Sequence, residues 1–325
     1  MVKTLQECID KIIESLQEMK QIMSEDDKSP KETLQVQSIV KEEKKQTFNP
    51  ENVPAPPIDS NPEGDFASLA KTLEDERWPT AVNPRLICDP NNEVEKTARG
   101  RGILDLMVGQ EEFKNANFLD FGCGEGYSVK AAIGKAAYAV GYDVQPNNNW
   151  ITGDNFLFTD QWDEVVKKGP YKSILCFDVI DHSMDESPLN ILKKMKSVLA
   201  DDGKIFLRVH PWTSRHANHF YHHINKAYIH LVFTEEELKK LHPEWGSLES
   251  KDYTFNVGFN RPLLTYKSMI EEAGLAIEYK RDMKEDVEPF FRTPIIAKRI
   301  QNKVGLNEFP AFQMQLQFVD YCLKK

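Results

Sequence analysis

Leu5, Ile9, Ile12, Leu16, Met19 and Met23 recur at alternating spacings of four and three. This is the a/d pattern of a short coiled-coil helix. Such a helix cannot bury its own apolar stripe, so it pairs with a copy of itself, with another protein or with its own globular domain. Residues 1–25 are therefore expected to form an oligomerisation or docking helix. Residues 26–65 are charged and then proline-rich ("NPENVPAPPIDSNPEG"), with few large apolar side chains, which is the composition of a linker. Helical patterning returns over 93–113, where Val94, Ala98, Ile103, Leu106 and Met107 could share a buried face. Short apolar runs then alternate with helical stretches to about residue 300, the order of a doubly wound α/β sheet. Residues 306–325, rich in Phe and Leu, read as a terminal helix docked on a domain spanning 66–305. No internal repeat is visible.

Composition narrows the picture. At 325 residues and 40% hydrophobic content the chain can bury a sizeable core. No apolar run approaches the ~20 residues of a membrane helix, and the polar-periodic N-terminus is unlike a signal peptide. The 5 cysteines are scattered and never form CxxC, which argues against a disulfide framework and for a reducing, cytoplasmic setting. A net charge of -10 without a basic block points away from a nucleic-acid partner, leaving only a local patch open.

The stretch "NFLDFGCGEGYSVKAAI" (117–133) is an apolar strand, then Gly122, Gly124 and Gly126, then helix-forming residues. Glycines suit a sharp turn whose backbone closely approaches a ligand. The third glycine comes one residue early for the dinucleotide fingerprint. Asp120, just before the glycines, would repel a pyrophosphate but suits a ligand carrying positive charge. The next strand, "AYAVGYDV", ends in Asp143, about twenty residues after the first glycine, where a carboxylate can accept from two ribose hydroxyls.

With these residues the chain resembles the class I, Rossmann-like, S-adenosylmethionine-dependent methyltransferases. "LDFGCGEG" and "VGYDVQP" look like their first two motifs. "SILCFDVIDH" looks like their fourth strand, "LADDGKIFLRV" like the fifth, and "LLTYKSMIEEAGLAIEYKRD" like the last helix and sixth strand. "TPIIAKRI" would then be the seventh strand, antiparallel between the fifth and sixth. The resemblance covers roughly 95–300. It implies S-adenosyl-L-methionine as cofactor, with Asp120, Gly122, Gly124 and Gly126 along its methionine and ribose part and Asp143 on the ribose. Asp160, preferred over Asp154, would serve the adenine side; Trp162 would cover the adenine or simply pack in the core. Neither a DPPY-type tetrapeptide nor a Pro-Cys nucleophile is present, and Cys123 and Cys176 read as small buried side chains.

Six of the 8 histidines fall between 210 and 230, directly after the fifth strand. In the resembling enzymes an insertion at this edge, here 210–262, shapes the acceptor pocket. If 216–231 is helical, His216, His219, His223 and His230 share a wedge of roughly 60°, beside an apolar stripe of Phe220, Ile224, Ala227 and Leu231. Only His219 and His223 have the spacing to share a metal ion, and the H-E-x-x-H pattern is missing, so no metal is expected. His210 is the first choice of general base and His182 the second, with Asp178 at the end of strand four. Trp212, Arg215, His216, His219, Tyr221, His223 and Tyr228 would line the acceptor side, where Arg215 suits an anion. The acceptor is expected to be a small molecule or a protein. The competing expectation is an assembly protein that keeps this fold and acts through its N-terminal helix.

Overall fold

A computed structural model describes residues 64–84, 89, 91–151, 153–183, 186–217, 221, 224–241 and 263–325. The heptad helix expected over 1–25 lies outside these residues, as does the linker expected over 26–65 except for its last two residues, which open the first helix. The helices are α1 (Gly64–Thr72), α2 (Glu93–Met107), α3 (Gln110–Phe113), α4 (Tyr127–Ala132), α5 (Trp162–Lys168), α6 (Pro188–Val198), α7 (Ile229–Val232), α8 (Glu235–Leu241), α9 (Leu263–Glu272), α10 (Pro294–Val304) and α11 (Ala311–Gln315). The strands are β1 (Asn117–Phe121), β2 (Tyr138–Tyr142), β3 (Phe156–Thr159), β4 (Tyr171–Phe177), β5 (Leu199–Val209), β6 (Ala276–Lys284) and β7 (Leu316–Lys324).

These strands form one sheet in the order β3-β2-β1-β4-β5-β7-β6. β7 runs antiparallel to both its neighbours, and the other pairs are parallel. Period-2 alternation sorts the strand side chains onto two faces. Leu119, Phe121, Val140, Ile174, Ile205 and Leu207 join the cluster under α6 and α9. Phe118, Ala139, Leu175, Phe206 and Cys322 join the one that includes Leu104, Met107 and Phe113 of α2 and α3.

Local chemistry sets the helix ends. Asn92 caps α2, accepting from the amides of Val94 and Glu95, and its own side-chain amide donates to Glu95. The buried face of α2 is Gly100, Leu104 and Met107; of the expected face Met107 is buried, Ala98 and Ile103 are half-buried, and Val94 and Leu106 are exposed. Gly100 is where α2 meets α4: a Cβ there would fall 2.5 Å from Cβ of Tyr127.

The seventh strand is a correction. "TPIIAKRI" belongs to helix α10, with Pro294 in its first turn, Ile296 and Ile300 buried four apart, and Gly305 left-handed at its end. The strand is instead "LQFVDYCLK", in the segment expected to be a terminal helix. It reads poorly as a strand because it is buried on both faces, so the alternation that marks a half-buried strand is absent.

A third cluster ties the segment after β5 to α1 and α10: Leu69, Trp78, Trp212, Tyr228, Leu231, Phe233, Phe291, Ile296 and Met314. Residues 75–82 strap across it. Trp78 Nε1 donates to the Ala227 carbonyl at 2.9 Å and Ala227 donates to Pro79. Asn225 accepts from the Val82 amide and donates to the Val82 carbonyl. These bonds hold 225–227 against the strap, and among the described residues of 216–231 the α-helix is confined to α7. The expected histidine wedge does not form as a single helix.

Candidate active site

The turn after β1 is built on three left-handed glycines, Gly122 at φ 79°, Gly124 at φ 51° and Gly126 at φ 81°. Amides of Gly122 and Cys123 both donate to the Tyr142 carbonyl, tying the turn to the end of β2. Two positions leave no room for a side chain. A Cβ on Gly122 would lie 2.3 Å from Val179, and one on Gly126 2.2 Å from the ring of Phe158. A Cβ on Gly124 meets nothing within 4 Å, so there the turn presents bare backbone.

Asp143 follows β2. Its two carboxylate oxygens accept from the Gly124 amide at 2.9 Å and the Gln145 amide at 3.0 Å. Asp120, at the penultimate residue of β1, is buried; burial pushes its pKa up to about 7, and the Asp143 charge adds to this. Asp160, just past β3, is exposed and accepts from the Gln161 side chain. Trp162 is half-buried and packs against Phe121 and Tyr142 at the edge of the main core. Burial drives the thiols of Cys123 and Cys176 far up, which suits inert small side chains.

On the other side of the topological switch, β4 is followed by Asp178, a non-glycine residue at φ 56°. His210 leaves β5 and bridges three segments. Its amide donates to Asp181 at 3.0 Å, its Nδ1 lies 3.1 Å from the Gln317 carbonyl, and its Nε2 lies 3.0 Å from Asp178. A carbonyl only accepts, so Nδ1 carries a proton; a carboxylate opposite Nε2 favours a proton there too. Burial alone would lower the imidazole's pKa, but Asp178 outweighs it and the net direction is up. Burial likewise opposes ionisation of Asp178, yet the charge and bond of His210 hold its carboxyl down at about 2. Asp181 is fully buried with its pKa raised by that burial. His182 follows it, half-buried.

Around this pair stand the other residues expected to line an acceptor. The His216 ring lies 5.1 Å from that of His210, with the Tyr221 ring 6.3 Å beyond. His219 and His223 lie outside the described residues. Arg215 is neutralised by Glu285 and Glu288, so its guanidinium is already matched by two carboxylates. Trp212 and Tyr228 are buried in the third cluster. His230 is buried as well and donates from Nε2 to the Trp212 carbonyl at 2.7 Å; burial takes its pKa down to about 4, keeping it neutral. Among the described residues no three His, Cys, Asp or Glu side chains are grouped to hold a metal ion, and no helix is long and apolar enough to cross a membrane.

Three contributors carry no sequence signal of their own. Asp181 anchors His210. The side chain of Gln317 accepts from the Arg215 amide and donates to the Met314 carbonyl, joining β7 to the segment after β5. Trp150, placed by a turn in which Asn147 accepts from the amides of Asn149 and Trp150, donates to the Gly124 carbonyl at 2.8 Å.

Residues 96–246 match the family model described as a methyltransferase domain. With the sheet order above, this part of the chain is similar to a methyltransferase domain. Several solved structures are similar to it at low identity. A SAM-dependent methyltransferase from Archaeoglobus fulgidus is 16% identical, covering 70% of this chain and 94% of that one with a TM-score of 0.42. The 1,6-didemethyltoxoflavin-N1-methyltransferase of Burkholderia thailandensis, with S-adenosylhomocysteine bound, is 14% identical over 80% and 86%, with a TM-score of 0.37. The magnesium protoporphyrin IX methyltransferase of Synechocystis is 14% identical over 80% and 100%, with a TM-score of 0.39. No curated protein matches the chain.

Proposed function

We propose that this domain moves a methyl group from S-adenosyl-L-methionine to a small molecule or a protein side chain. The observation that carries the reading is the glycine turn of the matched domain, held open by positive φ angles and bonded through Gly124 to Asp143. Asp143 uses one lone pair on each oxygen for backbone amides, and the remaining lone pairs can accept two hydroxyls. Asp120, Gly122, Gly124 and Gly126 hold the methionine and ribose part, and the exposed Asp160 serves the adenine side. The cofactor supplies an electrophilic methyl group; the chain has only to align the acceptor and take its proton.

On the acceptor side we read His182, Asp178, His210, His216 and Tyr221 as the facing residues, a reading supported by the bond of His210 to Asp178 and the ring contacts among His210, His216 and Tyr221. His219 and His223 keep the acceptor role read from the sequence, and Trp212 and Arg215 support that wall from behind. The pairing of His210 with Asp178 sharpens the choice of base. His210 accepts a proton only after losing the one it shares with Asp178, so catalysis through it rises with pH; His182 is the alternative. The neutralised Arg215 removes the reason to favour an anionic acceptor.

Calorimetric titration of the full chain with S-adenosylhomocysteine tests the cofactor. Saturable binding is expected in wild type and strongly weakened binding in Asp143→Asn; no heat at near-millimolar ligand overturns the assignment.

A further inference from the structure

Trp150 belongs to no motif, yet it touches the turn on which the cofactor reading depends. Its Nε1 donates to the Gly124 carbonyl at 2.8 Å. The Gly124 amide donates in turn to Asp143 at 2.9 Å. The two peptide units flanking the Cα of Gly124 are thus each fixed by a side chain from the stretch after β2. This matters at Gly124 because its φ of 51° is one of many that a glycine can adopt, and no packed neighbour restricts it: a Cβ there would meet nothing within 4 Å. Gly122 and Gly126 are wedged by Val179 and Phe158, whereas Gly124 is held by hydrogen bonds.

The indole itself is firmly seated. It stacks on Phe158 at 5.9 Å between centroids and 21° between planes, and Phe156 meets Phe158 edge-on at 6.4 Å. Phe158 occupies the space beside Gly126 and Gly141 that a Cβ on either would need. One aromatic stack therefore supports the third glycine by contact and the second through the indole N–H.

We propose that Trp150 is a positioning residue that presets the glycine turn for its ligand, acting through Gly124. This rests on the reading that the turn binds S-adenosylmethionine. The ordering cost of a loop is met on binding if it is mobile beforehand, so presetting raises affinity. A net hydrogen bond contributes about 0.5–1.5 kcal/mol.

The test is Trp150→Phe in the full chain, which keeps a ring on Phe158 and deletes the N–H. Titration with S-adenosylhomocysteine should show affinity about 3- to 10-fold weaker than wild type, with the melting curve nearly unchanged because the indole is only half-buried. The change in tryptophan emission on adding S-adenosylhomocysteine to wild type should be lost in the variant. Equal affinity in both proteins, with an unaltered emission change, overturns the proposal and leaves the cofactor reading standing. Failure of the wild type to bind removes that reading, and this proposal with it. Should Trp150→Phe not fold, Phe158→Leu removes the support of the indole instead; unchanged affinity there refutes the proposal equally.

Discussion

Gly126→Ala isolates the geometry of the glycine turn. Two costs apply. Alanine at φ 81° is held in the left-handed region, at about 1–2 kcal/mol. The new Cβ also falls 2.2 Å from Cε1 of Phe158, far inside the ~3.5–4.0 Å of carbon contact. Phe158 is buried and cannot swing aside freely, because Trp150 stacks on it and Gly141 lies against its edge. Overpacking of this kind costs about 1–3 kcal/mol, so the two together come to about 2–5 kcal/mol, a large share of an ordinary domain's stability. Guanidinium denaturation followed by tryptophan emission should show the midpoint falling at unchanged slope. In a Phe158→Leu background the same substitution should cost mainly the backbone part, about 1–2 kcal/mol. A Gly126→Ala protein within about 0.5 kcal/mol of wild type refutes the described turn. An equal loss in both backgrounds removes Phe158 from the explanation.

Two further outcomes follow from buried charges. The raised pKa of His210 contributes stability that is complete below its unfolded value near 6.5 and is lost as pH rises through the folded value. The depressed pKa of Asp178 contributes above its unfolded 3.8 and is lost as pH falls through about 2. The pair therefore stabilises most between about pH 4 and 6.5, and His210→Ala should remove the decline on the alkaline side of that window; an unaltered pH profile of the melting temperature contradicts the pairing. Asp320 accepts from both Arg208 and Arg281, and the Arg208 guanidinium is sandwiched between the rings of Phe177 and Phe318. Asp320→Ala leaves a cation buried on the central sheet and should cost about 3–5 kcal/mol in denaturant unfolding; a loss under about 1 kcal/mol means that water reaches Arg208.

What was legible in the sequence was local. β1, the glycine turn and the place of Asp143 beside it were legible because strand, turn and acid lie within about thirty residues and each has a short-range cause. The helix at 294–304 carried its own signals, Pro294, the four-residue spacing of Ile296 and Ile300, and Gly305, but the family pattern drew a strand over it. β7 was opaque because a strand buried on both faces has no alternation. The contacts of the segment after β5 were opaque for a different reason. Arg215 meets Glu285 and Glu288, 70 and 73 positions away, and Ala227 meets Pro79; no local pattern encodes such partners. Trp150 was missed likewise, since its place depends on a turn at Asn147 and on a ring supplied by the next strand.

β7 comes last of the seven strands in chain order yet lies inside the sheet, between β5 and β6. On the ribosome, β1 to β5 can assemble in order of synthesis. The sheet cannot close until Leu316–Lys324 has emerged, more than a hundred residues after the β5 edge it must cover. At roughly 5–20 residues per second, that edge waits several seconds exposed, presenting the unpaired backbone N–H and C=O groups of 205–209 to whatever is nearby. A nascent chain halted before Leu316 keeps the glycine turn and Asp143 but leaves β5 and β6 unbridged, so chaperone dependence during synthesis should concentrate in the interval between Val209 and Lys324.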